Sequence, residues 1–189
     1  MERNDTPWSA PTIRVDDDCC LRIPSEGAAP ALARLIDSNR ERLRLWLPWV
    51  DDTRSVQDSV HFIQKCRQDW AVQGIYSGLL YCGEEIVGAM GLHSKRHRCS
   101  SLGYWVADRF TARGLSTRGC RALLDWAFHH DPTLHMVELR AAVDNKPSRR
   151  VAEKLKFKLE AELRDREWLY DHFVSHAVYS VTREEWSQL

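Results

Sequence analysis

The sequence predicts an α/β fold in which one mixed, mostly antiparallel sheet is flanked by about four helices. Two observations carry this. Apolar residues recur at helical spacing in some windows and alternate in others, in the order strand, two helices, three antiparallel strands, helix, strand, helix, two strands. A length of 189 residues is enough to bury a core of ordinary size and too short for two full domains.

Residues 1–18 show no hydrophobic period and read as an N-terminal arm, leaving 19–189 as a single domain. Brief alternation from Cys20 to Ile23 ahead of Pro24 suits a short strand. Leu32, Leu35 and Ile36 then follow helical spacing that continues toward Leu43 and Trp46, until Pro48 stops the helix. Ser55 and Asp58 fit a capping box, opening a second helix whose stripe is Val56, Val60, Ile63, Cys66 and Trp70. The period now changes. Residues 76–81 and 86–92 read as a hairpin turned at Gly83 and Glu84, with 101–106 as a third strand after the basic loop Lys95–Arg98. Beyond Asp108, a loop leads into a helix with Cys120, Leu123, Leu124, Ala127 and Phe128 on one face. Val137, Leu139, Ala141 and Val143 alternate as a strand, and Pro147 falls in the first turn of a helix carrying Val151, Ala152 and Leu155, where proline is tolerated. Strands over 157–163 and 174–181 close the domain.

Composition excludes several classes. With 43% hydrophobic and 29% charged residues, the chain is neither disordered nor fibrous. No apolar run is long enough to span a bilayer, and the first 15 residues lack both a signal-peptide and a transit-peptide pattern, so a cytoplasmic protein without membrane association is expected. Cys19, Cys20, Cys66, Cys82, Cys99 and Cys120 form no C-x-x-C pair, and free thiols are expected. Lys plus Arg and Asp plus Glu balance at 27 each, yet residues 91–158 hold 14 basic against six acidic side chains. That segment is suited to an anion.

Ligands of open sheets gather at the carboxyl ends of strands where the topology changes, here the loops after Val106 and Val143, both inside the basic segment. The loop Thr111–Thr117 precedes a helix whose first N–H groups favour an anion; Gly114 permits close backbone approach, and Arg109, Arg113 and Arg118 add charge. A plain connection is the competing reading. Cys120 stands where a P-loop needs Lys, and no G-x-G-x-x-G follows a strand. His93, His97 and Cys99, and the pair His172 and His176, fall in strands or loops where i,i+4 spacing does not converge side chains, so no metal site is expected.

Trp46-Leu-Pro-Trp49-Val-Asp51, Ile86-Val-Gly88, Gly91-Leu-His93, Gly103-Tyr-Trp105, Arg113-Gly-Leu115, Val143-Asp-Asn145-Lys-Pro-Ser148, the run Val151 to Phe157, and His176-Ala-Val-Tyr179 occur in sequence. In kind and order this set resembles the GNAT acetyltransferases of the Rim type, the ribosomal-protein N-terminal acetyltransferases and their relatives, over residues 20–185. The resemblance implies a six- to seven-stranded sheet splayed in the middle, with acetyl-CoA in the splay. It implies that the pantetheine arm runs along Tyr104, Trp105 and Val106 and contacts Asn145. The pyrophosphate would rest on Thr111, Ala112, Arg113, Gly114, Leu115, Ser116 and Thr117. Family members prefer Gln or Arg at the place of Thr111, often Gly at Ala112, and Gly or Ala at Ser116; Gly114 is kept.

By the same resemblance, Ser148 protonates the departing CoA thiolate, Glu167 is the general base, and Trp46, Trp49 and Tyr104 border the acceptor groove, while a backbone N–H near Val106 meets the oxyanion. Each has a plain alternative: Ser148 as a helix-start residue, Glu167 as one of a solvated run with Glu160, Glu162 and Asp165, the tryptophans as core. An α-amine titrates near about 8 and a lysine near about 10.4, so an ordinary Glu167 suits an α-amine better. The expected function is an acetyl-CoA-dependent N-acetyltransferase that moves the acetyl group to a protein N-terminal α-amine or a small-molecule amine by direct attack in a ternary complex. A non-catalytic acyl-CoA-binding domain of the same fold is the competing expectation. A nucleic-acid-binding module ranks last, because the cofactor phosphates already account for the basic segment. Asp51, Asp52 and Glu160 to Glu167 hint at a cationic acceptor, and dimers occur among similar proteins, so a homodimer is within expectation.

Overall fold

The computed structural model describes residues 10–189. In chain order it contains β1 (Ile13–Arg14), β2 (Cys19–Arg22), α1 (Ala29–Asp37), α2 (Arg40–Arg44), α3 (Val56–Gln73), β3 (Ser77–Cys82), β4 (Glu85–Arg96), β5 (Cys99–Val106), α4 (Leu115–His130), β6 (Met136–Ala142), α5 (Lys146–Lys154), β7 (Lys158–Leu169), β8 (His172–Thr182) and α6 (Arg183–Trp186). All eight strands join one sheet in the order β1-β2-β3-β4-β5-β6-β8-β7. Among the described residues the only parallel pairing is β5 with β6, connected through α4. The period analysis therefore gives the architecture; the additional strand is β1, drawn from the stretch expected as an arm, and residues 1–9 of that arm lie outside the described residues.

Buried residues of the central strands alternate between two cores. Leu79 and Leu80 are adjacent and both fully buried, yet Leu79 joins Leu32, Ile36, Ile63 and Ala89 under α1 and α3, while Leu80 joins Met90, Cys120, Leu124 and Tyr179 under α4. This is period-two alternation with both faces covered. The capping box at Ser55 and Asp58 is present and α3 ends at Gly74, whose φ of 63° suits glycine.

Three expectations are corrected. The first helix is not continuous: it breaks at Ser38 and Asn39, because the buried Asn39 amide donates to the Leu35 carbonyl and its oxygen accepts from the Asp108 N–H, tying the chain to the far end of β5. Val56, placed on the apolar stripe of α3, is 46% exposed at the first position of the helix. Cys19 and Cys82 are not free thiols but a disulfide, because the β2–β3 register sets them directly opposite despite a separation of 63 residues. Cys20, Cys66, Cys99 and Cys120 remain free.

The Arg183 guanidinium fastens the end of α4, donating to the carbonyls of Phe128 (2.5 Å), Asp131 (2.5 Å) and Leu134 (2.9 Å). Replacing Arg183 by Ala strands these acceptors and should lower unfolding free energy by about 1.5–3 kcal/mol in urea titrations. Ala112 is held at φ 59°, a left-handed conformation costing a residue with a Cβ about 1–2 kcal/mol. Ala112→Gly should therefore raise stability by up to about 1 kcal/mol, net of the entropy of glycine, in the same titration.

Candidate active site

Strands β5 and β6 pair only at Cys99 with Met136, Ser100 with Val137 and Ser101 with Glu138, then separate. Because the Ala107 N–H bonds to the Val87 carbonyl, alternation sends the backbone groups of Gly103 and Trp105 to β4 and turns those of Tyr104 and Val106 toward the gap. The Val106 carbonyl accepts from Arg42 of α2. Trp105, expected to offer backbone to a pantetheine arm, has its N–H and C=O engaged with Ala89; what it brings to the site is its indole, on the α1–α3 face.

Across the gap stands α5. The Asn145 side-chain oxygen caps the helix by accepting from the Ser148 N–H (3.2 Å). The Ser148 hydroxyl lies 2.8 Å from the Tyr104 hydroxyl, so β5 and α5 are bridged at the gap by two hydroxyls. Burial pushes the Tyr104 phenol well above its ordinary pKa, which keeps it protonated. Ser148 is thus both a helix-start residue and part of this bridge.

At the wide end of the gap, the 111–117 loop runs into α4. Gly114 is the N-cap at φ 72° and no side chain caps the helix; the first amide to bond back is that of Arg118, to the Gly114 carbonyl. The N–H groups ahead of it face outward together, the arrangement that favours an anion. Of the three arginines expected to add charge, Arg118 is paired with Asp16 and Arg109 with Glu85. Arg113, lying over the Phe110 ring at 5.5 Å, has no carboxylate partner among the described residues.

Glu167 does not stand alone in a solvated run. Its carboxylate meets His176 Nε2 at 3.1 Å, with the two side chains 30% and 14% exposed. Ala177 and Tyr179 turn into the α4 core, so alternation aims His176 and Glu167 at the opposite face, the side of α1 and α3. His176 Nδ1 is buried without a partner. The hairpin tip beyond Glu167 is strapped down: the Tyr170 hydroxyl donates to the Leu47 carbonyl (2.6 Å) and its ring lies under the Arg44 guanidinium.

Beneath that strap, on the α1–α3 face, is a cavity of about 330 Å³ bordered by Trp49, Phe62, His93 and Trp105. Trp49 and Trp105 stand 6.4 Å apart between ring centroids. Of the two tryptophans expected to border an acceptor groove, Trp49 lines this cavity and Trp46 does not; Tyr104 also lines it. Sequence reasoning gave no role to His93, His176, Arg42 or Tyr170. His176 was visible in the H-A-V-Y motif, but only the strand register brings it to Glu167. Among the described residues, no three His, Cys, Asp or Glu come together at metal-binding distance, and no helix is long and apolar enough to cross a membrane.

Comparison with known proteins agrees with this geometry. Residues 18–158 match the acetyltransferase (GNAT) domain family. The chain is 33% identical over 184 residues to the "Putative ribosomal N-acetyltransferase YdaF" of Bacillus subtilis, covering 93% of this chain and 97% of that protein. The RimL ribosomal L7/L12 α-N-protein acetyltransferase, solved with coenzyme A, superposes with a TM-score of 0.86 at 22% identity over 91% of this chain and 98% of that one. The microcin C7 self-immunity acetyltransferase MccE, solved with acetyl-CoA and AMP, gives a TM-score of 0.85 at 23% identity over 94% and 99%. The splayed sheet, the uncapped helix beside it and a family match over most of the length lead to one conclusion: the chain belongs to the GNAT acetyltransferase family.

Proposed function

We propose that the chain binds acetyl-CoA in the gap between β5 and β6 and transfers the acetyl group to an amine presented on the α1–α3 face. The observation that carries this is the gap itself: the backbone of Tyr104 and the Val106 N–H face it, and the bare N-terminus of α4 stands at its mouth. The fit is chemical. Amide groups along a ligand arm complete the open β5 edge, and phosphates answer the Leu115, Ser116 and Thr117 N–H groups with Arg113 beside them. Asn145, its oxygen engaged in capping, keeps an amide nitrogen for the arm.

Acetyl-CoA, when bound, supplies a thioester whose carbonyl carbon the amine attacks and whose thiolate leaves. Glu167 takes the amine proton, directly or through water, and His176 holds the carboxylate in place. The Val106 N–H is turned toward the gap to meet developing negative charge on oxygen. Ser148, with the Tyr104 hydroxyl behind it, hands a proton to the thiolate. YdaF and RimL are named for ribosomal-protein acetylation, which supports a protein amine as acceptor. MccE, of the same fold, is named for microcin C7 self-immunity and was solved with AMP, which supports a small-molecule amine as the second reading.

Thermal unfolding tests the donor: CoA or acetyl-CoA at about 100 times its dissociation constant adds about 2.7 kcal/mol, a rise of roughly 5–10 °C for a chain of this size. ATP and NAD should give no comparable shift; absence of a CoA shift at millimolar ligand defeats the assignment. Glu167→Gln should reduce kcat by about 10²–10⁴-fold while leaving the CoA shift intact. His176→Ala should lower kcat less than Glu167→Gln while leaving KM for acetyl-CoA unchanged, because it acts through Glu167; an unchanged kcat counts against a positioning role.

A further inference from the structure

The cavity on the α1–α3 face is larger and less polar than the simplest acceptors require. Its walls are Leu32, Ile36, Phe62 and the indoles of Trp49 and Trp105, and no Asp, Glu, Lys or Arg among the described residues lines it. Its floor is kept open by small residues of the sheet. A Cβ on Gly103 would come within 2.8 Å of His93 Nε2, so glycine there makes room for the imidazole. None of the acidic residues that hinted at a cationic acceptor lines it, and Asp51 is paired with Arg44 and Glu162 with Arg149.

Of the polar side chains on the lining, Thr53 donates to the Trp49 carbonyl, Ser77 meets the Cys66 thiol and Tyr104 meets Ser148, which leaves Ser59 and His93 to be satisfied. Ser59, on α3, is fully buried, and its hydroxyl has no hydrogen-bond partner. An unpartnered buried hydroxyl is costly, by about 1–3 kcal/mol, unless something supplies the missing bond. The exposed His93 borders the cavity with its ring, whose pKa partial desolvation pushes below the ordinary value, and the neutral form that this favours offers one donor and one acceptor. The cavity thus suits an uncharged ligand with a bulky apolar body and at least one hydrogen-bonding atom. A volume of about 330 Å³ falls in the range of small-ligand sites, about 300–1,000 Å³. The lining also reaches the chemistry: Leu47, on the cavity wall, holds Tyr170, three residues along β7 and its turn from Glu167.

We propose that this cavity seats the side group of the acceptor, and that the acceptor is an amine with a bulky, uncharged aromatic or branched apolar body carrying a hydrogen-bonding atom for Ser59 and His93. The assignment rests on the reading of the chain as an amine acetyltransferase with its acceptor on this face. It favours a phenol- or indole-bearing amine over alanine- or serine-like ones. A plain acyl chain from the donor would fill the apolar volume but leave the buried Ser59 hydroxyl without a partner.

The test compares acetyl transfer from acetyl-CoA, followed as released thiol, to tyrosinamide, phenylalaninamide, serinamide, lysinamide and tyramine, with the tripeptides Tyr-Ala-Ala and Ser-Ala-Ala. Tyrosinamide should exceed serinamide and lysinamide by at least about tenfold in kcat/KM, the equivalent of 1.4 kcal/mol. Ser59→Leu, which fills the cavity, should erase the preference while the thermal shift with acetyl-CoA is retained. Ser59→Ala, the milder change, should narrow the advantage of tyrosinamide over phenylalaninamide several-fold. Tyramine and Tyr-Ala-Ala separate the two sources: the better substrate of that pair identifies a free amine or a peptide N-terminus, and either agrees with the proposal. Faster transfer to serinamide or lysinamide overturns it. So does a preference for octanoyl-CoA over acetyl-CoA that Ser59→Leu removes, since the cavity would then hold acyl chain. Quenching of tryptophan fluorescence by tyrosinamide is read without acetyl-CoA. If no amine is acetylated yet wild type is quenched and Ser59→Leu is not, the ligand class of the cavity stands and acetyl transfer fails. Transfer to every amine at similar rates leaves acetyl transfer standing and overturns the proposal.

Discussion

The structure depends on an unfinished pairing. Strands β5 and β6 run parallel for three residue pairs and then diverge, leaving backbone donors and acceptors without the neighbour a continuous sheet would give them. Buried peptide groups demand partners, so the divergence has to be answered residue by residue. Arg42 reaches across to the Val106 carbonyl, and the Tyr104 and Ser148 hydroxyls meet over the opening. What is left unanswered is on the ligand side.

Other elements hold the gap at its width. On one flank the β3–β4–β5 meander is clamped between two cores; on the other, β6, β8 and β7 form an antiparallel unit with α5 packed beneath. The flanks are joined at the closed end by the three pairs and at the open end by contacts from outside the sheet. Tyr170 bonds to Leu47, and Asn39 and Arg42 hold the chain after Val106. Breaking the first helix at Ser38 is what frees Arg42 to point at the sheet. The loss of helical continuity and the hold on the gap are two sides of one arrangement.

Most of the fold was legible because its signals are local. The stripe Cys120, Leu123, Leu124, Ala127 and Phe128 is buried as its spacing requires, and the Ser55–Asp58 box forms as written. What escaped the sequence is long-range. Cys19 and Cys82 become neighbours only through register, and so do Glu167 and His176 on adjacent strands. The interruption at Asn39 depends on Asp108, 69 residues away. In the site, the α4 N-terminus could be read from a strand, a loop and Gly114. The cavity could not, because its floor of small residues and the Ser59 hydroxyl look unremarkable until α3 is laid across β4.

A gap through a sheet has two doors. The bare end of α4 lies toward one face, the tryptophan-lined cavity toward the other, and groups coming from these sides meet edge to edge without sharing an entrance. Neither occupant stands in the path of the other. On the proposed placement of donor and acceptor, steric exclusion imposes no order of arrival, and each product can retreat the way its parent came. Traffic through this site is governed by how tightly each visitor is held, and not by queueing.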